Sequence, residues 1–261
     1  MTNDAKKKIE SLSTELEEHN HKYYILSNPS ISDFEFDKKL EELIALEKEY
    51  PEFLNANSPS QRVGGGLTKE FKTVKHDYPF LSLSNSYSKE DLTDFDERIR
   101  KGVAGTIEYI CELKYDGVAI GLKYENGALV QAVTRGDGEQ GDDITTNAKT
   151  IRSIPLHLQS SQKNKAATPY PDKFEIRGEV FFTKKVFETI NKEREEIGDP
   201  LLANPRNAAS GTLKMQDSAV VASRNLDCYM YMLYGKELPF KNHYESMKEA
   251  KKWGYKVPNY I

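Results

Sequence analysis

Glu112, Lys114 and Asp116 stand at alternate positions in the run Cys111-Glu112-Leu113-Lys114-Tyr115-Asp116-Gly117. In an extended chain alternate side chains share a face, so Glu112 and Lys114 point the same way, and Asp116 joins them if the extended geometry lasts into the turn. A lysine between two carboxylates is either a salt-bridged surface residue or a reactive amine, and spacing alone leaves both open. As a nucleophile it has a difficulty. With an ordinary pKa near 10.4, only about one lysine in a few thousand carries a neutral amine at pH 7. Flanking carboxylates would raise that pKa further, so something cationic must offset them.

The elements that would position this stretch follow from periodicity. Residues 3–26 carry Ile9, Leu12, Leu16 and Tyr23 on one helical stripe. Asn28-Pro29 breaks that helix, and Ser32-Asp33-Phe34-Glu35 fits a capping box that starts a second one, with Phe36, Leu40, Leu43 and Tyr50 at helical spacing up to Pro51. Asp33, Glu35 and Asp37 crowd its first turn, where the macrodipole favours acids. Residues 55–66 have the composition of a loop or linker, which sets a domain boundary near residue 70. A short extended piece at 79–84 precedes a polar helix over 89–100, capped by Ser88 with Asp91 three residues on. Residues 107–113, 118–124 and 128–135 are predicted strands, joined at Asp116-Gly117 and Asn126-Gly127, both hairpin-type dipeptides. A glycine-rich loop at 136–142 leads to a short helix over 145–150, and 163–171 reads as an exposed excursion. Residues 174–182 form a strand with Glu175, Arg177 and Glu179 on one face, and 183–197 a helix with Val186, Phe187 and Ile190 inward. Asn204-Pro205-Arg206-Asn207 opens another helix. Residues 227–234 alternate Cys228, Met230 and Met232 against Tyr229, Tyr231 and Leu233, and a last helix over 240–253 stops at Gly254.

Composition narrows the function. The chain has 261 residues, 30% of them charged and 38% hydrophobic, enough for one large domain or two small ones. No apolar run approaches the ~20 residues needed to span a bilayer, and no signal-peptide core is present, so a cytoplasmic location is expected. Two cysteines, Cys111 and Cys228, make neither a disulfide framework nor a four-ligand zinc site. A net charge of −4 supplies no overall basic footprint for nucleic acid, so any DNA contact must be local. Gly136, Gly138 and Gly141 match a dinucleotide fingerprint by letter count, but the antiparallel meander around them is not a βαβ unit.

The motifs together carry a resemblance. Lys114-Tyr115-Asp116-Gly117 is similar to the K-x-D-G signature of the covalent nucleotidyltransferases, which include DNA ligases, RNA ligases and mRNA-capping enzymes. Its surroundings narrow the match: Cys111-Glu112-Leu113-Lys114, Thr134-Arg135-Gly136-Asp137-Gly138, Arg177-Gly178-Glu179-Val180-Phe181 and Asn204-Pro205-Arg206-Asn207-Ala208-Ala209-Ser210-Gly211. Upstream, Ser58-Pro59-Ser60-Gln61-Arg62-Val63-Gly64, Leu81-Ser82-Leu83, and His21-Lys22-Tyr23-Tyr24 followed by Asp33-x-Glu35-x-Asp37 also fit. The chain resembles the N-terminal part of bacterial NAD-dependent DNA ligases along essentially its whole length, and the helical piece is specific to the NAD-using branch.

The resemblance implies an α+β fold: an N-terminal helical hairpin (residues 1–70) that serves the nicotinamide mononucleotide, then a mainly antiparallel nucleotidyltransferase core (71–261), incomplete at its C-terminal end. It makes Lys114 the nucleophile that takes AMP from NAD, with Asp116 beside it and Mg²⁺ as cofactor. Glu112 would lie in the adenine pocket, Arg135 and Glu179 would contact the nucleotide around the ribose, Ser82 and Leu83 would line the NAD site, and Tyr231 would stack on adenine. Tyr23 and Tyr24, with the turn Asp33, Phe34, Glu35, Phe36 and Asp37, would hold the mononucleotide half; aromatic faces and carboxylates suit a cationic pyridinium and ribose hydroxyls. Phe36 departs from the family, which usually carries Tyr there. Arg206 and Lys214 would contact DNA phosphates. The offset for Lys114 would come from Mg²⁺, Arg135, the pyridinium, or two further lysines that the family carries beyond this stretch. With those lysines and the family's later domains absent, the expectation is a monomeric fragment that binds NAD or AMP, adenylates itself slowly or not at all, and does not seal nicked double-stranded DNA. The competing readings are an ATP- or GTP-using relative, disfavoured by residues 1–70, and a non-catalytic nucleotide- or DNA-binding module. The hairpin is expected to swing over the core on the 55–66 linker.

Overall fold

The computed structural model describes residues 2–26, 28–63, 70–158 and 168–259, and of positions 2, 3, 33 and 63 the backbone only. Helix α1 (Thr2–Asn20) and helix α2 (Asp33–Glu49) form the hairpin. Ile9, Leu12, Leu16 and Leu43 are its buried centre, with Phe36, Leu40 and Leu46 packed around them. Ser32 caps α2 as its spacing predicts: its hydroxyl accepts from Glu35 N, and the Glu35 carboxylate accepts from Ser32 N at 2.9 Å. The α1 stripe does not run on to Tyr23, which is 45% exposed. A π turn (His21–Ile25) ends the helix, and its wider winding rotates the tyrosines off the stripe.

Residues 55–63 are not a free linker. Two 3₁₀ turns (Pro51–Phe53 and Pro59–Val63) bracket a segment nailed to the core. Asn57 Nδ2 donates to Leu129 O at 3.0 Å, and Lys149 Nζ donates to Ala56 O at 2.6 Å. The buried Arg62 guanidinium donates to Ile151 O and Ile154 O at 3.1 and 2.9 Å. Burial pulls its pKa down to about 10, which leaves it cationic at neutral pH. Polar side chains here satisfy buried carbonyls, the reverse of what a solvated coil would do. The expected swing therefore has no free coil at 55–63; Gly64, Gly65 and Gly66 lie outside the described residues, as do 163–167 of the expected excursion.

The core begins with a two-stranded pair, β1 (Thr73–Lys75) and β4 (Gln140–Asp142). Helix α3 (Lys89–Gly102) follows β1, capped by Ser88 and Asp91 as expected. The main sheet is antiparallel in the order β3-β2-β5-β6, from β2 (Val118–Glu125), β3 (Ala128–Thr134), β5 (Lys173–Phe181) and β6 (Asp227–Tyr234). Asn126 (φ +50°) and Gly127 (φ +77°) turn β2 into β3, the two positive dihedrals that a tight type I′ hairpin requires. Helices α4 (Thr145–Ala148), α5 (Lys184–Glu196), α6 (Pro205–Leu213), α7 (Ser218–Ser223) and α8 (His243–Lys252) surround it. Ile120, Leu122, Ile176, Cys228, Met230 and Trp253 are fully buried at the centre.

Four expectations fail on physical grounds. Residues 107–113 form no strand, and Leu113 is 67% exposed. A β-prone run becomes a strand only against a partner, and among the described residues none pairs with it. Asp116-Gly117 is consequently no hairpin, and Gly117 is not among the positive-φ glycines. The glycine-rich run over 136–142 ends in β4, a three-residue strand that its glycines conceal. In β6 the pairing steps from Arg177↔Met232 to Gly178↔Met230, so Tyr231 is an extra, bulged residue. A bulge reverses the alternation beyond it: Leu233 is buried with Cys228 and Met230, while Met232 is only half-buried.

Candidate active site and hairpin cleft

Lys114 is exposed, on the irregular segment that feeds β2. What fixes its position is the next glycine. Gly117 N donates to Glu179 Oε1 at 3.1 Å, and a Cβ at Gly117 would lie 2.2 Å from Val180 O, so glycine is required by close approach of β2 to β5. Tyr115 packs on Phe181 and Tyr229, with ring centres 5.8 and 4.6 Å away, and those two rings stack at 5.4 Å. The backbone on both sides of Asp116 is thereby seated on the sheet while Lys114 stays accessible.

Both carboxylates that flank the lysine have cationic or potentially cationic partners. Arg206 Nη1, from the first turn of α6, lies 3.2 Å from Asp116 Oδ1, and His243 Nε2, from the start of α8, lies 3.1 Å from Glu112 Oε1. Burial raises the Glu179 carboxyl above its ordinary range, against the Gly117 N–H and the charges of Lys114, Arg206 and Arg135. Lys114, Asp116, Arg135, Glu179 and Arg206 thus form one electrostatic group. Lys214 instead pairs with Asp142 at 2.6 Å. Burial also pushes the phenol of the bulged Tyr231 up.

A buried ion pair carries the segment leading to Ser82 and Leu83. Arg177 Nε donates to Glu175 Oε1 at 2.7 Å, with both residues at most 3% exposed. Its other nitrogens donate to Tyr78 O and Pro79 O at 2.7 and 2.8 Å, and the guanidinium lies between the rings of Phe80 (3.9 Å) and Tyr234 (4.2 Å). Beyond this clamp Ser82 accepts from Arg135 Nη1 at 3.0 Å, and Leu83 is exposed. Sequence placed Arg177 on the face of Glu179 but gave it no role; opposite charges two apart in an otherwise apolar strand were the available signal.

In the hairpin, a cleft of about 230 Å³ is lined by Tyr23, Tyr24, Phe36 and Asp37 together with Ser30 and Arg152. Four of the seven hairpin candidates therefore converge. Phe34 is 71% exposed under Lys38, and the Glu35 carboxylate is occupied by the helix cap, which also lowers its pKa. The side chain of Asp33 lies outside the described residues. Arg152 reaches the cleft from the core, a contact between residues 128 apart that no local pattern marks.

A family model described as NAD-dependent DNA ligase adenylation domain matches residues 68–261, and one described as DNA ligase-like, N-terminal NAD+-binding domain matches residues 2–64. Among curated relatives, a protein named DNA ligase from Bacteroides fragilis is 55% identical over 253 residues, covering 97% of this chain and 37% of the relative. DNA ligases of Flavobacterium psychrophilum and Cytophaga hutchinsonii are 54% and 53% identical, over 96% and 98% of this chain and 37% of each relative. The chain spans a little over a third of the length of these relatives.

Proposed function

Because the chain belongs to the NAD-dependent DNA ligase family, we propose that it is the nucleotide-activating part of such an enzyme and that Lys114 accepts AMP from NAD. The neutral Lys114 amine attacks the adenylyl phosphorus. A nitrogen–phosphorus bond forms as the bond to the mononucleotide's phosphate oxygen breaks; the electron pair leaves with nicotinamide mononucleotide, and the amine proton goes to solvent. In the whole protein AMP then passes to a DNA 5′-phosphate, and a 3′-hydroxyl displaces it to seal the nick.

The observation that carries this reading is the pairing of Asp116 with Arg206 and of Glu112 with His243. Arg206 sets a fixed positive charge beside Asp116, and the Glu112 carboxylate is engaged by the His243 ring, so both flanking carboxylates have partners other than the Lys114 amine. Residues 71–261 serve adenylation and residues 1–70 the mononucleotide half, with Tyr24, Phe36 and Asp37 in the cleft. Glu112 and Tyr231 face adenine, Arg135, Glu179, Ser82 and Leu83 the rest of the adenylyl group, and Arg206 and Lys214 the nicked duplex. Magnesium would fit as a partner of substrate phosphate beside the exposed Asp116 carboxylate, since this ion commonly takes one or two carboxylates plus phosphate oxygens. When bound it would neutralise phosphate charge near Lys114. No helix among the described residues is long and apolar enough to cross a membrane. We place the activity in the cytoplasm, in DNA replication and repair, and in a monomer.

Intact mass after incubation with NAD and Mg²⁺ tests the reading. The wild-type chain is expected to gain one adenylyl group, slowly because the family's further lysines lie beyond this stretch, that acid removes as phosphoramidates allow, and Lys114→Ala to gain none. An adduct that persists in Lys114→Ala removes the lysine from its role, and labelling by ATP in place of NAD removes the donor.

A further inference from the structure

One core residue lies inside the hairpin cleft. Arg152 stands between Ile151 and Ile154, whose carbonyls receive the Arg62 guanidinium, so its backbone is fixed to the core. Its side chain crosses to the hairpin. Nη1 donates to the Tyr24 hydroxyl at 3.0 Å, and the guanidinium carbon lies 5.6 Å from the Tyr24 ring centre and 5.9 Å from that of Phe36. The two rings belong to different elements, the π turn after α1 and the first turns of α2, so one cation bridges both. A planar, delocalised cation set against aromatic faces satisfies the same demands of charge and shape as a pyridinium ring.

We propose that Arg152 is an internal occupant of the cleft, holding the place of the nicotinamide ring, tying the hairpin to the core, and setting the affinity for the mononucleotide half. The proposal rests on the reading of this cleft as the mononucleotide site. A group that competes from within the chain lowers apparent affinity by the fraction of molecules in which the cleft is free. Removing it should therefore strengthen binding, whereas a residue that contacts the ligand's phosphate would weaken binding when removed.

Arg152→Met takes away the charge at an exposed position and keeps an unbranched side chain, with thermal unfolding as the check that the fold persists. Calorimetric titration with nicotinamide mononucleotide should show the variant binding about two- to fivefold more tightly, the order of one exposed cation–π contact. Without ligand, amide exchange over His21–Ile25 should be faster in the variant. Unchanged or weaker mononucleotide binding overturns the proposal, and so does unchanged exchange. Tyr24→Ala in the Arg152→Met background separates the underlying reading: if it leaves the tightened binding intact, the mononucleotide binds elsewhere and the cleft assignment itself is wrong.

Discussion

Replacing Arg177 with methionine should destabilise the chain by about 3–5 kcal/mol, the cost of breaking a buried ion pair by removing one partner. The structure sets that scale. Arg177 and Glu175 are 2% and 3% exposed, so solvent does not screen the 2.7 Å contact, and the variant leaves Glu175 as an uncompensated buried charge. It also strands Tyr78 O and Pro79 O, each an acceptor worth roughly 1 kcal/mol, and empties the sandwich between Phe80 and Tyr234. These losses overlap and do not add. Against a typical total of about 5–15 kcal/mol the loss is large. Urea unfolding at pH 7 should show a lower midpoint with an unchanged slope. Arg177→Lys should fall between, since an ammonium cannot serve three acceptors in a planar fork. Glu175→Gln combined with Arg177→Met should recover about 1–3 kcal/mol of the single loss through coupling. A single-variant loss under about 1 kcal/mol, or no recovery in the double variant, would refute the account. NAD affinity should fall in parallel, because the clamp holds the segment that carries Ser82.

Two further outcomes are expected. Gly117→Ala places a methyl 2.2 Å from Val180 O and should cost about 1–3 kcal/mol by overpacking, read from the urea midpoint; a cost below about 0.5 kcal/mol would show that β2 and β5 separate freely. Glu179→Gln should raise stability at pH 7 while impairing adenylation. Burial raises the Glu179 pKa above the 4.5 of a free carboxyl, so the stability linked to its protonation is full below about pH 4.5 and is lost as pH rises through the folded value. The variant's advantage, followed by thermal unfolding across pH, should therefore vanish in acid; an advantage that grows in acid would reverse the assigned cause.

Local chemistry was legible where it acts locally. The Ser32 and Ser88 caps, the Asn126-Gly127 hairpin and the bounds of β6 follow from the residues themselves. Long-range features left weaker marks. Residues 107–113 have strand composition but no partner among the described residues, and composition cannot report a partner. The Tyr231 bulge changes parity without changing any residue type, and the π turn rotates Tyr23 off the helical stripe. In the candidate site, Lys114, Asp116, Glu179, Arg135 and Arg206 are motif residues that the fold brings into one electrostatic group. Arg152 and the Arg177 clamp depend on backbone carbonyls and rings far away in sequence. Glu35 shows the opposite hazard, a motif acid whose carboxylate is already committed to a helix cap.

The anchoring of Ala56, Asn57 and Arg62 determines how the hairpin meets the core as a binding partner. A free coil over residues 55–66 would let its far end wander over a distance on the order of 20 Å. With the segment pinned, the hairpin is leashed by the few residues before Ala56. That short leash keeps its local concentration at the core far above the millimolar level of an ordinary flexible tether. A contact as modest as that of Arg152 with Tyr24 can then hold the two parts together, and a hairpin supplied as a separate chain would need very high concentrations to replace the covalent one.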